Sequence, residues 1–259
     1  MTSEQPAGAA MGDAVYFDQW YADMAASPVR DAIVARTLGL PPELQFAGVL
    51  TWLGVAEVSE ELRLPQDGLL LDIACGRGGY GIEVARRFGA RLVGVDFSAV
   101  ALEQAKLMGA RRLPASRSEF RIGTLLAGGL PTGVADGLMC VDAVQCAEPP
   151  LAALLEFRRL LTSGGRLALT CWEAVDPSDE RVAPRIQAVN LRRDLPKAGF
   201  VDVAVHDKPE WRQAERAMWE EAVAAVDSDA AVRSLQAEGR RSLDSFDSLC
   251  RVFATATAP

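Results

Sequence analysis

Between residues 69 and 172 the chain alternates short apolar runs, LLLDIA, RLVGVDF, GLMCVDAV and RLALTCW, with stretches long enough for helices. Runs of Leu, Val and Ile without polar alternation mark strands buried on both faces. Such strands joined by helix-length crossovers make a parallel sheet. Helices are predicted at about 79 to 88, 98 to 109 and 151 to 161, the last ended by the breaker SGG at 163 to 165. Upstream, Phe17, Trp20, Tyr21 and Met24 fall at i, i+3, i+4 and i+7, and Phe46, Val49, Leu50 and Leu53 repeat the spacing. The first ~60 residues therefore read as amphipathic helices. Ser27-Pro28 has the form of an N-cap followed by proline, Gly39 of a helix end, and Pro41-Pro42 of the next helix start. Beyond residue 173 come the polar loop EAVDPSDERVAP, a short helix and a strand at about 201 to 206. A helical stripe of Trp211, Glu215, Met218, Ala222 and Val226 and a terminal strand at 251 to 258 complete the pattern.

Bulk properties narrow the partners. No apolar run reaches the ~18 residues needed to cross a bilayer, so no membrane partner is expected. The opening MTSEQPAGAAMGDA lacks the basic start and apolar stretch of a secretory signal and reads as a frayed terminus, so a cytoplasmic location is expected. A net charge of −8 opposes a phosphate backbone, which points away from nucleic acid and toward small molecules, with a homo-oligomer left open. The five cysteines are scattered without a CxxC pair and the chain has one histidine, which argues against a disulfide framework or a zinc site.

The segment GLLLDIACGRGGYG at 68 to 81 places a strand before a glycine loop and a helix, a backbone that lets a ligand approach at the carboxyl edge of the sheet. Gly76, Gly78 and Gly81 spell GxGxxG, and Asp96 follows Gly76 by twenty residues, as a dinucleotide fingerprint requires. Asp72 opposes that reading, because its carboxylate just before the loop would face a pyrophosphate with like charge. S-adenosylmethionine (SAM) instead brings an ammonium that a carboxylate welcomes and a carboxylate that backbone N–H groups can take.

LLLDIACGRGGYG, then VGVDFSAVALEQAK, then LLTSGGRLALTCW resembles the signature series of class I SAM-dependent methyltransferases over roughly residues 66 to 173. CVDAVQ with GGRLALTCW further resembles their small-molecule branch, often found in natural-product biosynthesis. The resemblance implies an α/β, Rossmann-like fold: a seven-stranded, mostly parallel sheet with helices on both faces and a helical cap. Residues 1–65 would be an N-terminal cap and 66–259 the SAM-binding core, with a helical insertion at about 208–245. It also implies that the loop with Asp72, Ala74, Gly76 and Gly78 holds the methionine part of SAM, and that Asp96 receives the two ribose hydroxyls. Phe97 either packs on adenine or belongs to the core. Many relatives carry an acid for the adenine amine after the third strand, which falls here around EFRIGTLLAGG at 119 to 129 and makes GLMCVDAV the fourth. This chain has Gly123-Thr124-Leu125, leaving adenine to the Thr124 hydroxyl or to backbone acceptors.

Methyl transfer is a displacement at carbon already activated by positive sulfur, so alignment and water exclusion are the main tasks. Asp142 and Gln145, at the carboxyl end of the fourth strand, stand beside the expected acceptor, Asp142 also within reach of the cofactor. Trp172 is expected in the cleft wall. Asp142 and Glu173 are the candidate bases, and Tyr21 a residue that closes over SAM or acceptor. His206 is expected on the surface, and Cys75 is no nucleophile because Asp72 disfavours its thiolate. No metal is expected, since the Asp-Asn pair of metal-dependent catechol methylation is missing, and Glu148-Pro149-Pro150-Leu151 lacks the aromatic of base-methylating enzymes. Two other readings stay open: an NAD(P)-dependent oxidoreductase, and a module that binds SAM without catalysis.

Overall fold

The computed structural model describes residues 14–226 and 229–259. The predicted frayed terminus lies outside the described residues up to position 13.

Seven strands form one sheet: β1 (Leu69–Ile73), β2 (Arg91–Asp96), β3 (Ser118–Ile122), β4 (Ala135–Val141), β5 (Leu161–Ala174), β6 (Val201–Asp207) and β7 (Leu249–Thr257). Their order is β3-β2-β1-β4-β5-β7-β6. β3, β2, β1, β4 and β5 pair in parallel, and β7 runs antiparallel to both of its neighbours. The order reverses between β1 and β4, which opens a crevice at the carboxyl ends of these two strands. Alternation along β1 sends Leu70 into one apolar layer and Leu71 and Ile73 into the other. Burial of both layers explains why the strands read as unbroken apolar runs.

The helices are α1 (Ala14–Ala25), α2 (Pro28–Leu38), α3 (Trp52–Leu62), α4 (Gly79–Phe88), α5 (Ala99–Arg112), α6 (Pro150–Leu160), α7 (Pro184–Gln187), α8 (Leu191–Lys197), α9 (Pro209–Ala224) and α10 (Ala230–Asp244). α3, α4 and α5 cover one face, α6 and α8 the other. Ser27 Oγ accepts the Arg30 N–H at 3.2 Å, and Gly39 ends α2 in the left-handed region, as their positions predict. α2 packs on α9, and α9 on α10, while α1 contacts α5 and α10. Ser27 Oγ also donates to Asp229, the N-cap of α10, at 2.6 Å. Segments far apart in sequence thus build one cap over the crevice, whereas α3 packs on β4 and β5.

Two local expectations are corrected. Residues 41–51 are not helical, although Phe46, Val49 and Leu50 have helical spacing and Pro41-Pro42 resembles a start; α3 begins only at Trp52, capped by Thr51. The reason lies in tertiary partners. The Val49 N–H donates to Asp142 Oδ2 at 2.9 Å and the Leu50 N–H to the Tyr80 hydroxyl at 3.1 Å, so this backbone serves the crevice instead of a helix. The SGG sequence does not separate α6 from β5 but lies inside β5. Gly164 at φ +81° accommodates a register shift against β4 there.

Candidate active site

A cavity of about 1040 Å³ lies between the carboxyl edge of the sheet and the cap, at the upper end of small-molecule sites. Asp72, one residue before the end of β1, stands in its wall, 2% exposed, with Oδ2 lacking any hydrogen-bond partner. Burial pushes its carboxyl up to about 8; the Gly81 N–H offsets part of the rise and nearby Asp96 adds to it. A Cβ at Gly81 would collide with Asp72 Oδ2, so glycine is what lets α4 start this close to the acid.

Asp96 ends β2 and is held by backbone donors, the Gly76 N–H at 2.8 Å on Oδ2 and the Ser98 N–H at 2.9 Å on Oδ1. With the Phe97 N–H adding to these donors, the two oxygens still keep lone pairs for ligand hydroxyls. Burial raises this carboxyl too, against its backbone hydrogen bonds. Gly76 and Gly78 shape the loop but do not line the cavity. Gly76 sits at φ +51° under the Tyr21 hydroxyl, and Gly78 at φ +81° begins α4, where a Cβ would press on Ala105 and Phe120. The loop's Arg77 is fully buried and donates to Asp31 on α2 at 2.8 Å, tying the loop to the cap.

Ala74, Phe97, Thr124 and Leu125 all line the cavity. Phe97 meets Phe17 of α1 edge to face at 5.1 Å, so it joins cap and cavity at once. Thr124 is exposed, and its hydroxyl oxygen already accepts the Leu126 and Ala127 N–H groups, which leaves its O–H to donate. Tyr21 is 6% exposed in the wall, and Asp18 on the same helix accepts the Ser98 hydroxyl at 2.5 Å, fastening α1 beside Asp96.

The two candidate bases take different positions. Asp142 lines the cavity, but its carboxylate is engaged on both oxygens: Oδ2 by the Val49 N–H, Oδ1 by the Thr170 hydroxyl at 2.6 Å and by Arg251. Paired with a fully buried guanidinium, this carboxylate holds the wall in place. Glu173 is absent from the cavity lining. It follows Trp172 on β5, so strand alternation turns it to the opposite face, where Oε1 accepts the Leu191 N–H of α8 at 2.7 Å. Of the two candidate bases, Asp142 is thus engaged on both oxygens and Glu173 lies outside the cavity lining.

Gln145 and Trp172 do line the cavity. Sequence reasoning missed Glu215, a carboxylate 3% exposed in the same wall, on α9. Trp172 Nε1 donates to both of its oxygens and Trp219 Nε1 to Oε1, each at 3.1 Å. Burial raises this carboxyl against Arg251 and the indoles. The available signal was an acid on an otherwise apolar helical stripe, a position that a charge occupies only with partners. Among the described residues no three His, Cys, Asp or Glu side chains converge to hold a metal ion, and no helix is long and apolar enough to cross a membrane. His206 is exposed and lines a separate groove.

This arrangement suits a ligand with a cation for Asp72 and paired hydroxyls for Asp96, on the β1–β2 side of a wide cavity. Residues 71–169 match the model of a family described as "Methyltransferase domain". The fold is that of the Rossmann-like class I methyltransferases. A tocopherol O-methyltransferase of Arabidopsis thaliana chloroplasts is 23% identical over 53% of this chain and 41% of that protein. The chain spans under half the length of the first curated relatives it matches. Among solved structures, a phosphoethanolamine N-methyltransferase of Haemonchus contortus in complex with SAM superposes with a TM-score of 0.68 at 19% identity, covering 83% of this chain and 54% of that one. The [4+2]-cyclase SpnF superposes at 0.67 and 20% identity, covering 79% and 80%. The methyltransferase domain fold thus carries more than one chemistry among its neighbours.

Proposed function

We propose that this chain is a SAM-dependent methyltransferase acting on an oxygen or nitrogen of a small molecule, in secondary metabolism. The observation that carries the reading is the pair of buried carboxylates at the ends of β1 and β2: Asp72 with an unpartnered oxygen, and Asp96 fixed by backbone donors. Asp72 would hold the ammonium of SAM and Asp96 its ribose hydroxyls, with Ala74, Phe97, Thr124 and Leu125 along the same wall. Bound SAM supplies a methyl carbon made electrophilic by positive sulfur. The protein's part is to fix the ligand with these acids, to exclude water with α1, and to align the acceptor against the β4–β5 side of the cavity. The tocopherol relative favours a small-molecule acceptor. Asp72 disfavours NAD, whose pyrophosphate would meet it in a buried wall. The cyclase neighbour keeps a second reading in play, a chain that binds SAM and uses the fold for something other than methyl transfer. Calorimetry on the ligand-free chain with SAM, S-adenosylhomocysteine and NAD tests the proposal. Micromolar binding of both adenosyl ligands and none of NAD is expected; binding of NAD alone would overturn it. A product assay over candidate acceptors then separates transfer from mere binding.

A further inference from the structure

Trp172 stands on β5, three strand spacings from Asp96 on β2, roughly 14 Å away across the sheet. Around it the cavity wall becomes apolar and aromatic, with Met218, Trp219, Leu235 and Phe246 from the cap and the turn before β7. Two buried side chains of this wall, Gln145 and Glu215, present acceptor oxygens, while Arg212, stacked on Phe246, holds its Nε buried without a partner. Gln145 is 4% exposed; its Nε2 donates to the Asp142 carbonyl at 2.7 Å, and its Oε1 has no partner. Glu215 is oriented by two indole N–H groups, with the Arg251 charge close enough to favour its ionised form against burial. Contacts join the two: Gln145 to Asp142, Asp142 to Arg251, Arg251 stacked at 4.2 Å over the Trp172 ring, and Trp172 to Glu215. Of the cavity's arginines, Arg185 and Arg241 are exposed and can keep water, Arg30 is buried against Asp31 and the Phe46 carbonyl, and Arg212 donates to the Phe246 carbonyl. A ligand that fills this wall with a hydrogen-bond donor facing Gln145 would satisfy an oxygen that otherwise stays unpartnered.

We propose that Gln145 and Glu215 form the acceptor subsite, that the acceptor is an apolar, ring-bearing molecule presenting an O–H or N–H group, and that Glu215 takes its proton. The inference rests on the methyltransferase reading. In that reaction the sulfur–methyl bond breaks with its electron pair passing to sulfur, an acceptor lone pair forms the new bond to carbon, and the acceptor's proton moves to the Glu215 carboxylate. Glu215 then releases the proton to water as the product leaves. A buried carboxylate suits this role, because its raised proton affinity brings it nearer to working pH.

The test uses the full chain. S-adenosylhomocysteine affinity is measured first for wild type, Glu215→Ala and Glu215→Gln; no binding by wild type sinks the methyltransferase reading itself. The complex is then titrated by calorimetry with 2-naphthol, 2-aminonaphthalene and the donorless 2-methoxynaphthalene. Wild type should bind the two donor-bearing rings at least tenfold tighter than the methoxy ring. Glu215→Ala should lose that preference while S-adenosylhomocysteine affinity stays within about twofold. Glu215→Gln, which keeps the volume and one acceptor oxygen, should retain part of the preference. It should also lose the pH transition in tryptophan fluorescence that Glu215 titration beside Trp172 and Trp219 produces in wild type. Equal binding of all three rings, binding of none, or a preference unchanged in Glu215→Ala would overturn the proposal. A fluorescence transition that persists in Glu215→Gln would remove the proton from Glu215.

Discussion

Asp72, one residue before the end of β1, Asp96, the last of β2, and Asp142, just after β4, share one sheet edge, and their partners separate their tasks. Asp96 has spare lone pairs beside its backbone donors, so Asp96→Ala removes charge-assisted bonds of about 1.5–3 kcal/mol each. A loss of SAM affinity of about a hundredfold or more is expected in calorimetry. Asp72 has no cation of its own and titrates at about 8 in the free protein. An ammonium favours the charged carboxylate and lowers that pKa on binding, so binding releases a proton. S-adenosylhomocysteine affinity should therefore rise from pH 6 to 8, by up to tenfold per pH unit, then flatten; Asp72→Asn should abolish the slope. Asp142 already has its cation. Asp142→Ala strands the fully buried Arg251 and should lower unfolding free energy by about 3–5 kcal/mol in urea titration. A base would instead reveal itself by lost turnover at unchanged stability.

At the scale of elements, β5 and α9 decide the acceptor side. Period-2 alternation gives Trp172 to the cavity and Glu173 to α8, whose first N–H it accepts. Glu173→Ala should therefore cost about 1 kcal/mol of stability, as the loss of a helix cap does, with kcat unchanged. The Trp172-Glu173 pair already dictates that one side chain faces away from the cleft, but the sequence does not say which, because that depends on which face α9 covers. Strands β1, β2, β4 and β5 were legible, since burial on both sides leaves an apolar run that few other environments produce, whereas β3, with only Phe120 buried, leaves no such run. Residues 41–51 were not legible either. Their spacing is helical, yet Asp142 and Tyr80 draw their N–H groups into the crevice wall, and local periodicity carries no trace of such distant partners.

Over the whole molecule the cavity is closed by chain segments from both ends, α1 and α2 from the start and α9 and α10 from the insertion between β6 and β7. A ligand held by sheet and cap together stabilises the fold by mass action. S-adenosylhomocysteine at a hundred times its Kd should add about 2.7 kcal/mol. At about 2–4 °C per kcal/mol that is a rise in Tm of roughly 5–11 °C, and NAD at the same concentration should give none. The sequence by itself determined the sheet, its parallel core, the glycine loop, and the two acids whose spacing from that loop implies their ligand. All of these depend on neighbours within a few residues or on a fixed repeat. Only the tertiary structure decided that Asp142 is spent on Arg251, that Glu173 lies behind the sheet, and that Glu215 enters the acceptor wall between two indoles. The physical reason is that a side chain's chemistry is set by the charges, donors and water around it, and folding brings those from residues up to about a hundred positions away.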